Sequence, residues 1–225
     1  MGKNREVWSC STYHRYIKEG RGQGEGINYK PWLTTHNVPS NGINTRILGR
    51  KTGRIHHYFS RNEYHYHLLL ENNPEVTDIR EQYPLTLKET LKIAQQLDIR
   101  HPIVNQFPFV LTCDFLVTAN GEYYARTVKM ASELSKPRVL DKFRIEATFW
   151  KKMGIDFKIV TEREINVTKA DNLSWLYSGE SFVNLLKAPE SRLQATHMFL
   201  NLYNSDIPFH VCLSTVESHF LRANS

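Results

Sequence analysis

The sequence predicts an α/β fold with a mixed central sheet flanked by helices. Three observations point to it. Strand-like and helix-like segments alternate between residues 60 and 162, an Asn-Gly pair at 120–121 separates two strand-like runs, and residues 87–99 and 140–153 carry apolar side chains at helical spacing. The resulting order of helix, strand, helix, strand, strand, helix, strand suggests an α/β fold with a mixed central sheet.

The elements follow in chain order. Residues 1 to about 58 are rich in Gly, Asn, Thr and basic side chains, with GRGQGEG (20–26) and VPSNG (38–42) as breakers. GRGQGEG is a loop and not a phosphate loop, because no Gly-Lys-Ser/Thr follows it and no apolar strand precedes it. RKTGRIHH (50–57) reads as a basic strand or hairpin beside the core, either touching a DNA backbone or forming a solvated edge. A helix starts at Ser60, since Ser60 and Glu63 have capping-box spacing, and it stops before Asn73-Pro74. A strand over 75–83 ends at Pro84, a helix over 87–99 ends at His101-Pro102, and the Asn-Gly hairpin follows. A helix over 140–153 and a strand over 157–162 complete the main domain, set at residues 1–167. Residues 168–225 form a small helical domain, with LSWLYS, ESFVNLL and SRLQATHMFLNLY as short helices. That segment is close to the lower size limit for independent folding, so it leans on the main domain or on a partner.

Composition narrows the function classes. Lys and Arg number 29 against 23 Asp and Glu, a formal charge of +6, which favours polyanionic partners without requiring them. Cys10, Cys113 and Cys212 are too far apart for a thiolate zinc site or a disulfide framework, which fits a reducing cytoplasm. No apolar run approaches a membrane span and the N-terminus lacks a signal-peptide core, so no membrane partner is expected. His56, His57, His65 and His67 suggest a metal at first sight, but His65 and His67 lie two apart on a helix and point in different directions.

The hairpin DFLVTANGEYYARTVK carries the chemistry. With Asn120 and Gly121 at the centre of a type I′ turn, Ala119 faces Glu122 and, counting back, Asp114 faces Thr127. Alternation then puts Thr112, Asp114, Ala125, Thr127 and Lys129 on one side of the sheet, and Cys113, Phe115, Val117, Tyr124 and Val128 on the other. An acid, a hydroxyl and an amine so grouped suit a divalent metal held by hard oxygen ligands, with a lysine to orient water and stabilise phosphate charge. Glu63, in the first turn of its helix, is the candidate second carboxylate, with Glu146 as an outer-shell option. Two readings of these residues stand side by side. In the other, Asp114 and Lys129 form an exposed cross-strand ion pair and Glu63 only closes its capping box.

Over residues 15–178 the chain resembles the TnsA family, the endonuclease subunit of heteromeric cut-and-paste transposases. The stretches IKEGRGQG, YKPWLT, KTGRIHH, DIREQYPL, TCDFLV, TVK, LDKFRIEATFW, and EIN with WLYS after it carry the resemblance. It implies a restriction-endonuclease-like core followed by a small helical, winged-helix-like C-terminal domain. It further implies Mg²⁺-dependent cutting, with Mn²⁺ substituting, of the 5′ (non-transferred) strands at transposon ends. The implied partners are double-stranded DNA at those ends, a TnsB-type transposase and a TnsC-type regulatory ATPase, in the bacterial cytoplasm and associated with the nucleoid. Residue by residue, Glu63 and Asp114 fall on the family's metal-binding acids, Lys129 on its catalytic lysine, and Val128 where a main-chain carbonyl is a ligand. Thr127 falls on the polar residue two before the lysine, usually glutamine, and its shorter hydroxyl makes a bridging water an alternative to direct ligation. The hairpin tip is trimmed and the C-terminal segment is shorter than the family's. Arg50, Lys51, Arg54 and Arg126 are the candidate DNA-backbone contacts. Two further readings share these residues: a catalytically weakened DNA-binding and bridging subunit, and a stand-alone restriction or repair nuclease.

Overall fold

The computed structural model describes residues 7–37, 44–178, 189–202 and 209–223. The predicted breaker VPSNG and the whole of the predicted ESFVNLL helix lie outside them. Backbone contacts divide the chain into two compact units, residues 1–171 and 172–225.

The first unit is built on a four-stranded sheet of β3 (Val76–Pro84), β6 (Thr112–Ala119), β7 (Glu122–Val128) and β8 (Asp156–Val160), in that order. The first two pairings are antiparallel and β7–β8 is parallel, so the sheet is mixed, as the element order suggests. The β6–β7 register keeps the counted pairing from Ala119↔Glu122 to Phe115↔Arg126, and both turn residues are left-handed, Asn120 at φ 51° and Gly121 at φ 77°. Those angles are what a type I′ turn demands.

One face of the sheet is covered by α3 (Leu87–Gln96) and α4 (Pro137–Lys152). Ile93, Ile145, Phe149 and Trp150 pack there against Cys113, Leu116 and Ala125. The other face is covered by α2 (Arg61–Asn72) and a hairpin of β1 (Thr45–Leu48) and β2 (Ile55–Tyr58), where Tyr58 and Leu70 pack against Ile79, Phe115, Val117 and Val128. Helix α2 starts as its sequence dictates, with Ser60 Oγ accepting from Glu63 N–H at 3.2 Å. Helix α4 begins three residues before the predicted Leu140, because Pro137 suits the first helical turn. A short β4–β5 hairpin (Ile103–Val104 and Phe107–Pro108) follows α3.

Helix α1 (Cys10–Lys18) was not anticipated. Ser9 caps it, and Tyr16 buries beside Trp8 and Trp32 in an aromatic cluster. The second unit has its own small core, in which Ala195 and Val216 pack against Met198, Phe199 and Phe220. Its described residues form helices only, through Pro189–Leu202 and Phe209–Ala223, so the wing of a winged helix has no counterpart among them.

Candidate active site

Besides the bulge between Val76 and Asp78, the regular alternation of the sheet fails beside Asp114. On β6, Phe115, Val117 and Ala119 face α2, whereas Cys113 faces α3 and α4 together with Leu116. On β3, Ile79 faces α2 while Leu85 just beyond the strand faces α3. Between the pairs Glu81↔Phe115 and Tyr83↔Cys113 sit Gln82 and Asp114, and Gln82 has φ 49°. A left-handed backbone at a non-glycine residue within a strand is strained, and here it lets both strands change face at the same step. The placement of Cys113 with Phe115 and Val117, expected from unbroken alternation, is therefore corrected.

Asp114 sits in that step with both oxygens occupied once. Val128 N–H donates to its Oδ2 at 2.8 Å and Gln82 Nε2 to its Oδ1 at 3.2 Å. The Gln82 carbonyl oxygen accepts in turn from Thr112 Oγ1 at 2.9 Å. Burial pushes the Asp114 carboxyl up from its ordinary range, against the pull of Lys142, these two donors and Lys129. Glu63 reaches the same region from α2. Its oxygens accept from Ser60 Oγ at 2.8 Å and Phe59 N–H at 3.1 Å, so it does close a capping box. Burial first and the Asp114 charge second push its pKa up to about 8. The capping reading and the site reading thus coexist: the cap holds the Glu63 carboxylate in place, and there it feels the Asp114 charge.

Glu63, Val128 and Lys129 line one open cleft of about 540 Å³, together with Arg61, Met130 and Glu133. Lys129 is carried there by the strand end, where its N–H donates to Val160 O at 2.9 Å. Thr127 is not among the residues lining this cleft. Its hydroxyl donates to Glu146 Oε1 at 2.6 Å and lies 3.5 Å from Cys113 Sγ, buried under α4. The expected grouping of Thr127 with Lys129 is corrected accordingly. Alternation is intact from 127 to 129, but the chain leaves the sheet after Val128, which frees Lys129 from the face that holds Thr127.

Glu146 turns out to be more closely tied to the hairpin than an outer option. It is fully buried, burial pushes its pKa up to about 7 against the pull of Lys142 and Thr127, and its Oε2 has no hydrogen-bond partner. The sequence held a signal for it: an acid three residues after Phe143 and four before Trp150 falls on the buried stripe of α4. Gln82 gave no such signal, because nothing local marks it for a left-handed conformation.

The basic candidates separate. Arg54 is buried and pairs through both nitrogens with Glu81, at 2.8 and 2.5 Å, while also donating to Ile79 O. Arg126 clamps β8 by donating to Asp156 Oδ2 at 2.6 Å and Asp156 O at 2.8 Å. Both are corrected from DNA contacts to structural residues. Arg50 and Lys51 sit at the β1–β2 turn, where their backbone N–H groups donate to Glu71 Oε2, and Arg50 is exposed. His56 and His67 are buried on hydrogen bonds to Glu81 and Tyr58, at 2.8 and 2.7 Å.

A metal fits the acidic pair on the chemistry of its donors. Each of the four oxygens of Glu63 and Asp114 accepts one hydrogen bond and keeps a lone pair, and both carboxyls are raised by burial without a bonded cation. Among the described residues no set of three or more His, Cys, Asp or Glu is arranged as a ligand cluster.

Comparison with known proteins bears on the same residues. The family model for the TnsA-like endonuclease N-terminal region matches residues 73–162, which include Asp114, Thr127, Val128, Lys129 and Glu146 but not Glu63. The chain is 42% identical over 181 residues to the Transposon Tn7 transposition protein TnsA of Escherichia coli. That alignment covers 79% of this chain and 66% of the relative.

Proposed function

The chain belongs to the TnsA-like endonuclease family, and on that premise we propose that it is a divalent-metal-dependent DNA endonuclease acting as a subunit of a transposition complex. It cuts the 5′, non-transferred strands at transposon ends while a TnsB-type transposase cuts the other strands and a TnsC-type ATPase regulates both. Mg²⁺ is the working ion and Mn²⁺ substitutes. The setting is the bacterial cytoplasm, on nucleoid DNA; no described helix is long and apolar enough to cross a membrane. The two-domain division at 167/168 belongs to the same proposal, supported by the separate compact units 1–171 and 172–225.

One observation carries the reading: two buried carboxyls, Glu63 and Asp114, are both pushed up by burial, and the Asp114 charge adds to the rise at Glu63, which lines a cleft with Lys129. A structural ion pair would show the opposite. Glu63, Asp114 and the Val128 carbonyl would hold the ion. When bound, the ion neutralises phosphate charge and lowers the pKa of the attacking water. Asp114 is fixed for this by Gln82 and by Val128 N–H, and Glu63 by its cap. The Lys129 ammonium orients the water in line with the scissile bond, leaving a 5′-phosphate and a 3′-hydroxyl. Thr127 acts through Glu146 as a positioning residue and is not a ligand in this scheme. Sequence choice comes from the transposase, so the isolated chain cuts weakly or not at all.

The test is reconstituted end cleavage with the partner transposase. Wild type gives double-strand breaks at both ends, and Asp114→Ala leaves only the strand cut by the transposase, a loss of about 10²-fold or more in 5′ cutting. Unchanged products with Asp114→Ala would replace the enzyme reading with that of a bridging subunit, and 5′ cutting without the transposase would favour a stand-alone nuclease.

A further inference from the structure

A second cleft, of about 380 Å³, opens between the α3–β4 connection and α4. Arg100 and His101 line it from the connection, and Arg138, Asp141, Lys142 and Ile145 line it from α4. The α4 residues recur at helical spacing and form one face. Its cations are uncommitted: among the described residues Arg100, Arg138 and Lys142 make no hydrogen bond or ion pair. Its one carboxylate is not, since Asp141 lies 3.8 Å from Arg144 on the same helix. His101 is held by Thr90 Oγ1 and Pro102 O at 3.1 and 3.0 Å, and burial lowers its pKa, so it lines the cleft as a neutral ring.

Helix α4 links this cleft to the acidic residues. Lys142 stands one turn before Glu146 on α4, and Glu146 accepts from Thr127 on β7. The Lys142 charge is in addition the largest influence that favours ionisation of both Asp114 and Glu146. The arginines that a basic sequence would otherwise offer to DNA, Arg54 and Arg126, are spent inside the fold.

We infer that this cleft binds the phosphodiester backbone of duplex DNA beside the scissile phosphate, with Arg100 and Arg138 contacting phosphates and Lys142 bridging the cleft to the acids. Three unpaired cations around a small concavity, with an apolar floor at Ile99 and Ile145, suit a chain of phosphates better than a planar or apolar ligand. The inference rests on the nuclease reading and adds to it where the substrate lies. It also replaces the β1–β2 turn as the main basic contact surface.

The test uses the full chain, a fluorescein-labelled duplex oligonucleotide, and Ca²⁺ in place of a catalytic ion, with affinity followed by anisotropy across a salt titration. The double variant Arg100→Gln/Arg138→Gln is compared with wild type and with the charge-matched control Lys88→Gln/Lys151→Gln, all with matching thermal melts. The cleft variant loses about tenfold or more in affinity, and its log–log salt slope is shallower by about two, one per lost phosphate contact. The control keeps the wild-type slope. If cleft variant and control bind alike while wild type binds DNA, the cleft inference falls and the nuclease reading stands. If wild type itself binds no duplex, the cleft inference falls as well, and the nuclease reading is decided separately by end cleavage with the transposase.

Discussion

Two buried acidic centres draw on neighbouring strands, Glu81 on β3 and Asp114 on β6, and they are built on opposite principles. Glu81, on β3, is fully buried but surrounded by donors: Arg54 through two nitrogens, His56 Nδ1 at 2.8 Å and His57 N–H at 3.3 Å. These partners outweigh desolvation and lower its pKa to about 2. Glu63, Asp114 and Glu146 are buried to a similar degree with only neutral donors bonded to them, and all three pKa values go up. The difference separates a charge that holds the fold together from charges kept short of a cation. Buried charges left uncompensated cost stability, and such sites persist where a ligand supplies the missing charge.

The largest effect should come from the compensated side. Glu81→Gln leaves Arg54 buried without its counter-charge and should lower unfolding free energy by about 3–5 kcal/mol in chemical denaturation. A loss below about 1 kcal/mol would mean that the Arg54 pair contributes little to the fold. The pH dependence has a definite sign. Because the folded pKa of Glu81 lies below its ordinary 4.5, its contribution is fully present above about pH 4.5 and is lost as pH falls toward 2, on the order of 3 kcal/mol in all.

The uncompensated side should behave in reverse. With a chelator present, Glu63 and Glu146 hold their protons up to about 8 and about 7, above the unfolded 4.5, so metal-free protein should lose stability as pH rises from about 5 to 8. Mg²⁺ at a hundredfold excess over its Kd should restore about 2.7 kcal/mol. Glu63→Gln should flatten the metal-free trend and abolish the Mg²⁺ response in thermal melts. A wild-type melt that ignores both pH and Mg²⁺ would remove the contrast between the two centres.

How much of this was legible in the sequence depends on the range of each interaction. The Ser60–Glu63 cap and the Asn120-Gly121 turn are local, so residue type at short spacing was enough. The register of β6 against β7 followed from the turn alone. The step at Asp114 did not, because it needs β3 to lie alongside and Gln82 to adopt a conformation that residue type does not announce. Arg54 looked like a surface cation for the same reason, since its partner Glu81 is 27 residues away and becomes a neighbour only when β2 packs on the sheet. The family resemblance supplied roles for Glu63, Asp114 and Lys129. It could not supply the direction in which Thr127 points, which is set by this chain's packing against α4.

Thr127 provides the smallest and most discriminating test of the comparison. Its hydroxyl is the only bonded donor to the Glu146 carboxylate apart from weak sulfur contact, and Glu146 Oε2 already lacks a partner. Thr127→Val keeps the shape and removes the donor, so it should cost about 1 kcal/mol in denaturant melts. Thr127→Ser should retain the bond and most of that stability. Thr127→Gln, which restores the family's usual side chain, must fit extra atoms beside buried Cys113 and should cost about 1–3 kcal/mol. In end cleavage the valine variant should lose no more than about tenfold, with the Mg²⁺ concentration for half-maximal cutting unchanged, because a positioning residue alters alignment and not ion affinity. A large rise in that concentration with Thr127→Val, reversed by Thr127→Ser, would make the hydroxyl a ligand. Glu146 would then be its anchor, and the uncompensated centre would hold one more oxygen donor than the two acids and the Val128 carbonyl provide.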